Sequence, residues 1–148
     1  MNTEIEKLIK KCVQEIGDEA FKKEIEKILN KKKEKETLTI IVNEGIHPNS
    51  PIHDRGEIYI ASRGNIDFSS KENIEQEFSI ILHGVAEKLK SKPWKKVYLV
   101  PFGPAVLSMQ VKLLVYRILY IETIDFLYTG NGNYYDLNLN LRMIAANS

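Results

Sequence analysis

The sequence predicts an α/β domain whose central strands run parallel, closed by a C-terminal β-hairpin and preceded by an N-terminal helical hairpin. Two short apolar runs and the helical stretches between them carry this reading. Val97, Tyr98, Leu99 and Val100 form a run too short for a helix and suited to a strand buried on both faces. Leu38, Thr39, Ile40, Ile41 and Val42 form a second such run. A helical pattern over residues 70–90 separates them, so the crossover is long and the two strands are expected parallel and adjacent. A second helix, 104–119, follows the 97–100 strand.

The turn between that strand and helix is Pro101-Phe102-Gly103-Pro104. Pro104 suits the first turn of a helix, where its missing N–H has no intrahelical partner to lose. From Ala105 to Leu119 only Gln110, Lys112 and Arg117 clearly interrupt the apolar character, so little of this helix is expected to meet solvent. Strand, glycine turn and helix together form the central part of a Rossmann-like unit. Such units bind ligands at the carboxyl ends of their strands, beside a helix N-terminus.

Bulk composition narrows the class. At 148 residues, 43% hydrophobic and 28% charged, the chain has the makings of one soluble globular domain with a real core. A formal net charge of +1 gives no basis for a duplex-DNA surface, although it leaves room for a local positive pocket. The single Cys12 rules out an internal disulfide and a cysteine zinc cluster, and its place on an apolar helical stripe points to an inert core thiol. No run approaches the ~18 apolar residues of a membrane span, and the start lacks a secretory apolar region. A cytoplasmic protein without a membrane partner is expected.

Residues 1–36 are read as the helical hairpin, and 37–148 as the Rossmann-like domain. Thr3 and Glu6 have capping-box spacing, and Ile5, Leu8, Ile9, Cys12, Val13 and Ile16 recur at helical intervals. Gly17-Asp18 ends that helix and opens another, with Phe21, Ile25, Ile28 and Leu29 on one face. The pair could serve for dimerisation or partner docking, or could cover an edge or face of the sheet. The run Lys31 to Glu36 interleaves lysine with glutamate, which marks a solvated helix end.

The first strand ends at Asn43-Glu44-Gly45, and a long loop follows to Gly56. Loops of this length are usually functional or mobile. His47, His53 and Asp54 have ligand chemistry, but no regular element fixes their spacing, so no metal is expected. Residues 57–61 alternate into another strand, closed by Ser62-Arg63-Gly64-Asn65. Ser69 and Glu72 form a second capping box before the stripe Ile74, Phe78, Ile81, Leu82, Val85 and Leu89, with His83 at its boundary. Near the end, residues 121–128 and 134–143 flank Thr129-Gly130-Asn131-Gly132-Asn133, a strong turn signal. Leu137, Leu139, Leu141 and Met143 alternate with polar residues as in a half-buried strand, and 145–148 reads as a frayed tail.

The chain contains no G-x-S-x-G elbow, no Walker loop and no G-x-G-x-x-G, so no cofactor is implied. The best candidate site is the strand-end rim: Asn43, Glu44 and Gly45 after one strand, and Phe102, Gly103, Pro104, Ala105 and Val106 after the other. Gly103 permits close approach to the backbone, and the amides of Ala105 and Val106 should be free at the helix start, which suits a phosphate.

The segment VYLVPFGPAVLSMQVKLLVYRIL, followed by IETIDFLYTGNGNYYDLNLNL, resembles one half of a SAVED domain. SAVED is a nucleotide-sensor relative of the CRISPR-associated Rossmann fold (CARF). The likeness rests on Gly103-Pro104-Ala105 at the turn and Tyr134-Tyr135 in the hairpin, and covers roughly 38–142. It implies binding of a cyclic oligonucleotide second messenger in prokaryotic antiviral defence of CRISPR or CBASS type, as a stand-alone sensor or sponge. Sensors of that family usually carry two such halves in one chain and a fused effector, whereas one half and no effector segment are visible here. A homodimer with the ligand on its two-fold axis, and a separate effector protein, are the partners implied. The alternatives are a ring nuclease, with His47, His53, Arg55 and Arg63 as helpers, and a non-catalytic adaptor that docks a partner.

Overall fold

The computed structural model describes residues 3–45 and 54–148. Contacts divide the chain into two compact units, Met1–Glu34 and Lys35–Ser148.

The first unit holds helices α1 (Thr3–Ile16) and most of α2 (Asp18–Lys35). They meet at Gly17, whose φ of 86° takes the left-handed conformation that ends one helix before the next starts. No residue of either helix is buried. Ile5, Leu8, Ile9 and Ile16 of α1, and Ile25, Ile28 and Leu29 of α2, all stand exposed. Cys12 is exposed with them, which corrects the expectation of a core thiol. Helical spacing had located the apolar stripe, but a stripe is a core only where something packs on it.

The second unit is an α/β domain with a five-stranded, mostly parallel sheet, compatible with a Rossmann-like fold. Its elements are β1 (Thr37–Ile41), β2 (Glu57–Ile60), α3 (Lys71–Lys90), β3 (Lys96–Val100), α4 (Ala105–Leu119), β4 (Ile124–Gly130), β5 (Asn133–Leu137) and α5 (Leu141–Ala146). The strand order is β2-β1-β3-β4-β5. β1 pairs parallel with both β2 and β3, and Ile40 lies beside Leu99 in the second pairing, as the two apolar runs predicted. β4 continues in parallel, and β5 returns antiparallel.

The two faces of the sheet have different cores. On one, Leu38, Ile40, Val42, Val97 and Leu99 pack against Val85 and Leu89 of α3 and Leu107, Val111 and Val115 of α4. On the other, Ile41, Tyr98, Val100, Ile124 and Phe126 gather with Ile58, Ile60, Phe102 and Tyr134. There Tyr98 and Phe126 stack with centroids 5.7 Å apart, and the Arg55 guanidinium lies 5.4 Å from the Phe126 centroid. The same guanidinium stands 3.8 Å from the Asp136 carboxylate of β5.

Several sequence expectations change at element ends. α3 is capped by Ser70, whose hydroxyl accepts from the Asn73 amide, not by a Ser69–Glu72 box. Ser69 belongs instead to the preceding turn, its amide donating to Asp67 Oδ1 at 2.8 Å. Pro104 is the N-cap of α4, one position before its first turn. α4 is also less buried than its composition suggested: Val106, Met109 and Leu113 are exposed, because the sheet covers only the side that carries Leu107, Val111 and Val115.

Residues 134–143 are not one strand. β5 stops at Leu137, and Asn140 caps α5 by accepting the Met143 amide at 3.1 Å. Arg142 ties α5 to the end of α4, donating to the Tyr120 carbonyl at 2.9 Å and to the Tyr116 hydroxyl at 3.2 Å. α5 runs on to Ala146, and the Asn147 amide donates to the Met143 carbonyl at 3.1 Å and Ser148 Oγ to the Ile144 carbonyl at 2.7 Å, so the stretch 145–148 that reads as a frayed tail is bonded to the helix. Leu139, Leu141 and Met143 consequently remain exposed.

Candidate functional site

The strand order reverses at β1, whose sequence successor β2 lies on one side and whose other neighbour, β3, on the opposite side. In open parallel sheets the crevice beyond the carboxyl ends at such a point is where ligands bind. A cleft of about 380 Å³ lies there, lined by Asn43, Gly45, Gly64, Asn65, Ile66, Phe68, Gly103 and Pro104.

Asn43 organises this rim. It is 5% exposed, and its side chain is spent on the surrounding loops. Nδ2 donates to Ser62 Oγ at 3.1 Å and to the Gly64 carbonyl at 3.0 Å, while Oδ1 accepts the Gly45 amide at 2.7 Å. Ser62 Oγ in turn donates to the Val42 carbonyl at 2.6 Å. A buried amide with both donors engaged gives the cleft its shape more than a reading group.

Gly103 is a glycine for a related reason. Its φ is 86°, and a Cβ there would stand 2.7 Å from the Cβ of Asn43. The tight approach of the β3 turn to the β1 turn requires it. Close approach of a ligand, the ground on which the sequence singled it out, is therefore not needed to explain it.

Of the expected site residues, Asn43, Gly45, Gly103 and Pro104 come together in the cleft. Glu44 sits beside it with its side chain largely covered, paired to Arg63 Nη1 and with its amide donating to the Ser62 carbonyl at 3.0 Å. Phe102 does not share the pocket: it packs on the opposite face of the sheet, edge-on to Tyr134 with centroids 6.5 Å apart. Ala105 and Val106 are exposed on the first turn of α4, and Val106 lines a different, larger groove. The expected grouping of Gly103 with Asn43, Glu44 and Phe102 thus holds for Asn43 alone.

The sequence missed the third wall, Gly64 to Phe68. Its only signal was the polar, glycine-containing stretch after the 57–61 strand, the same signature that marked the other two turns. Asp67 holds this wall in place by accepting from the Ser69 amide and from Asn73 Nδ2, the latter at 3.1 Å. Hydrogen bonding from Ser69, then from Asn73, keeps the Asp67 carboxyl below its ordinary value of 3.8.

The larger groove, about 1140 Å³, runs between α3 and α4 and shares Phe68 with the cleft. Ile74, Phe78, Leu82, Leu114 and Ile118 form its floor, and exposed His83 lies at its margin.

No protein-family model, curated protein or solved structure matches this chain.

The start of α4 faces the rim without a side-chain cap, since Pro104 makes no capping hydrogen bond, and no acidic residue occupies its first turn. α-Helix geometry leaves the first amides without intrahelical acceptors, and the helix dipole makes that end attractive to anions. α3 is the contrast: Ser70 caps it and Glu72 lies in its first turn. Among the described residues, no group of three or more His, Cys, Asp or Glu is placed to hold a metal ion. His47 and His53 lie outside the described residues, and Asp54 is exposed.

One further polar cluster escaped the sequence reading. Lys112 Nζ donates to Thr123 Oγ1 at 2.6 Å and to Asp125 Oδ2 at 2.8 Å, clamping α4 to the start of β4. Thr123 Oγ1 also donates to Asp125 Oδ1 at 2.5 Å. In the sequence Lys112 was merely an interruption of an apolar helix, because its partners lie eleven and thirteen positions away.

Proposed function

We propose that this chain binds a cyclic oligonucleotide second messenger of prokaryotic antiviral defence, seating a phosphate at the start of α4. The observation that carries this reading is the cleft at the strand-order reversal, beside a helix start that has neither a side-chain cap nor an acidic first-turn residue. The resemblance of the strand, Gly103-Pro104-Ala105 turn and following helix to a SAVED half supplies the ligand class. The first amides of α4, which have no intrahelical acceptors and no side-chain cap, supply the donors a phosphate needs there.

The cleft volume bears on assembly. About 380 Å³ lies near the lower end of the ~300–1,000 Å³ usual for small-molecule sites. That space suits one nucleotide-sized portion of a ring. A second copy across a two-fold axis would supply the matching portion, with the two Pro101-to-Pro104 turns facing one shared site. The protein then acts as a stand-alone sensor or sponge, or signals to a separate effector.

The test is to incubate the purified protein with a panel of cyclic oligonucleotides and resolve the mixtures by HPLC. Retention of an intact ring supports the proposal. Linear products would replace it with a ring nuclease, and no interaction would replace it with an adaptor. Ala105→Asp sharpens the test, because an exposed acid in the first helical turn favours the helix by about 0.3–1 kcal/mol while repelling a phosphate. Binding should be lost with the melting temperature unchanged or raised. Undiminished binding by Ala105→Asp would place the ligand elsewhere. Gly103→Asp cannot serve here, since its side chain would strike Asn43.

A further inference from the structure

We propose that α2 is a self-association surface, pairing antiparallel with α2 of a second copy through Phe21, Ile25, Ile28 and Leu29. The inference rests on residues apart from the cleft and holds whatever the ligand is.

The first observation is the uncovered stripe. These four positions follow i, i+4, i+7, i+8 spacing and so share one face of α2. Ile25, Ile28 and Leu29 are 40%, 61% and 51% exposed, and no residue of α2 is buried. A helix draws most of its stability from an apolar face packed on something.

The second observation selects the occupant. α2 begins with Asp18 and Glu19 in its first turn and ends in Lys31, Lys32, Lys33 and Lys35, with Glu34 the one acid among them. A helix acidic at one end and basic at the other complements a reversed copy of itself. In the antiparallel register that places Ile25 opposite its counterpart, Phe21 meets Leu29, Ile28 meets the alkyl stem of Lys22, Asp18 meets Lys32, and Glu19 meets Lys31. A parallel pair would instead set the lysine-rich ends side by side. Glu19 is already 3.8 Å from Lys22, but both side chains are highly exposed and a pair of that kind holds its partners weakly. The helix dipoles of an antiparallel pair also oppose each other favourably.

The seam has four apolar positions per copy, so the interface falls at the small end of the range, below about 1,200 Å². Association is therefore expected to be concentration-dependent across the micromolar range.

Sedimentation equilibrium on the full chain, without nucleotide, tests the idea. The mass should rise from the 17.0 kDa of one chain toward twice that value. The double variant Asp18→Lys with Glu19→Lys should weaken association about tenfold or more, because both ends of the pair become basic. Adding Lys31→Glu and Lys32→Glu to that variant should restore it. All four changes set the charges against the helix dipole. A variant that failed only through a weaker helix would be made worse by the second pair of changes, not rescued. A chain that stays monomeric throughout the range overturns the proposal. So does undiminished association of the double variant, or failure of the fourfold variant to recover. Each of these results leaves the nucleotide test to be decided by its own experiment.

Discussion

α1 and α4 both read from the sequence as helices with abundant apolar residues, yet the structure treats them differently. α1 has the cleaner stripe, Ile5, Leu8, Ile9, Cys12, Val13 and Ile16, and buries none of it. α4 has a blurred pattern and buries Leu107, Ser108, Val111 and Val115 against the sheet. Periodicity reports which residues share a face. Whether that face is a core depends on what the topology sets against it, and for α4 that is two adjacent parallel strands whose lengths and register match. The sheet-centred unit should therefore respond sharply to small changes, and α1 hardly at all.

The largest effect expected on the sheet side comes from Gly56→Ala. Gly56 has φ of 64°, and a Cβ there would lie 2.2 Å from the Thr37 carbonyl oxygen. Backbone cannot yield as a flexible side chain does, and the conformation itself disfavours an L residue. A loss of about 4 kcal/mol or more is expected, near the exceptional end for a single substitution. Urea denaturation would measure it, and a change under about 1 kcal/mol would mean the entry to β2 is far softer than its contacts imply.

A matched pair of substitutions addresses the helices directly. Leu107→Ala, at a fully buried position on α4, should cost about 2–5 kcal/mol through lost burial and a residual cavity. Leu8→Ala on α1, where the side chain is 60% exposed, should change the stability of the sheet-centred unit by less than about 0.5 kcal/mol. Comparable losses in the two variants would break the contrast and show that α1 has a covering partner within the folded protein.

The smallest effect is electrostatic. Glu57, on the edge strand β2, is bonded by Lys88 and also accepts from Lys92 Nζ at 2.7 Å. The bonds from Lys88 and then Lys92 hold its carboxyl below the ordinary value of 4.5. A lowered folded-state value means the ion pairs stabilise above the unfolded pKa and fade as pH falls through the folded one. Glu57→Gln should thus melt slightly below the parent protein at neutral pH, with the gap closing in acid. A gap that widened on acidification would reverse the assignment. The partly exposed position keeps the effect small.

What could be read in advance followed local chemistry. The adjacency of β1 and β3, the position of α3 and the turn after Val100 all come from short-range patterns and crossover geometry. Failures occurred where two local signals competed or where the partner was distant. Ser69 and Ser70 each offer a capping hydroxyl, and the turn built by Asp67 claims the first. The alternation from Leu137 to Met143 suits a strand, but Asn140 is also a helix cap, and Arg142 finds its acceptors on Tyr116 and Tyr120. In the site, the two turns of β1 and β3 were legible, whereas the wall from Gly64 to Phe68 meets them through bonds from Asn43, which lies about twenty positions away in the chain. Phe102 stands in the expected turn but packs on the opposite face of the sheet, because nothing in a four-residue turn dictates which way its aromatic ring leaves.

The bonding of Asn43 has a mechanical consequence. One side chain pins the ends of two strands, holding Ser62 and Gly64 on one side and Gly45 on the other, while its Cβ abuts the Gly103 turn. Three loops thus hang from a single rivet. Displacing the Gly64 wall would strain the same amide that fixes Gly45, so neither wall shifts without the other. A guest that fits the cleft would find its mouth already set and would spend little of its binding energy on arranging it.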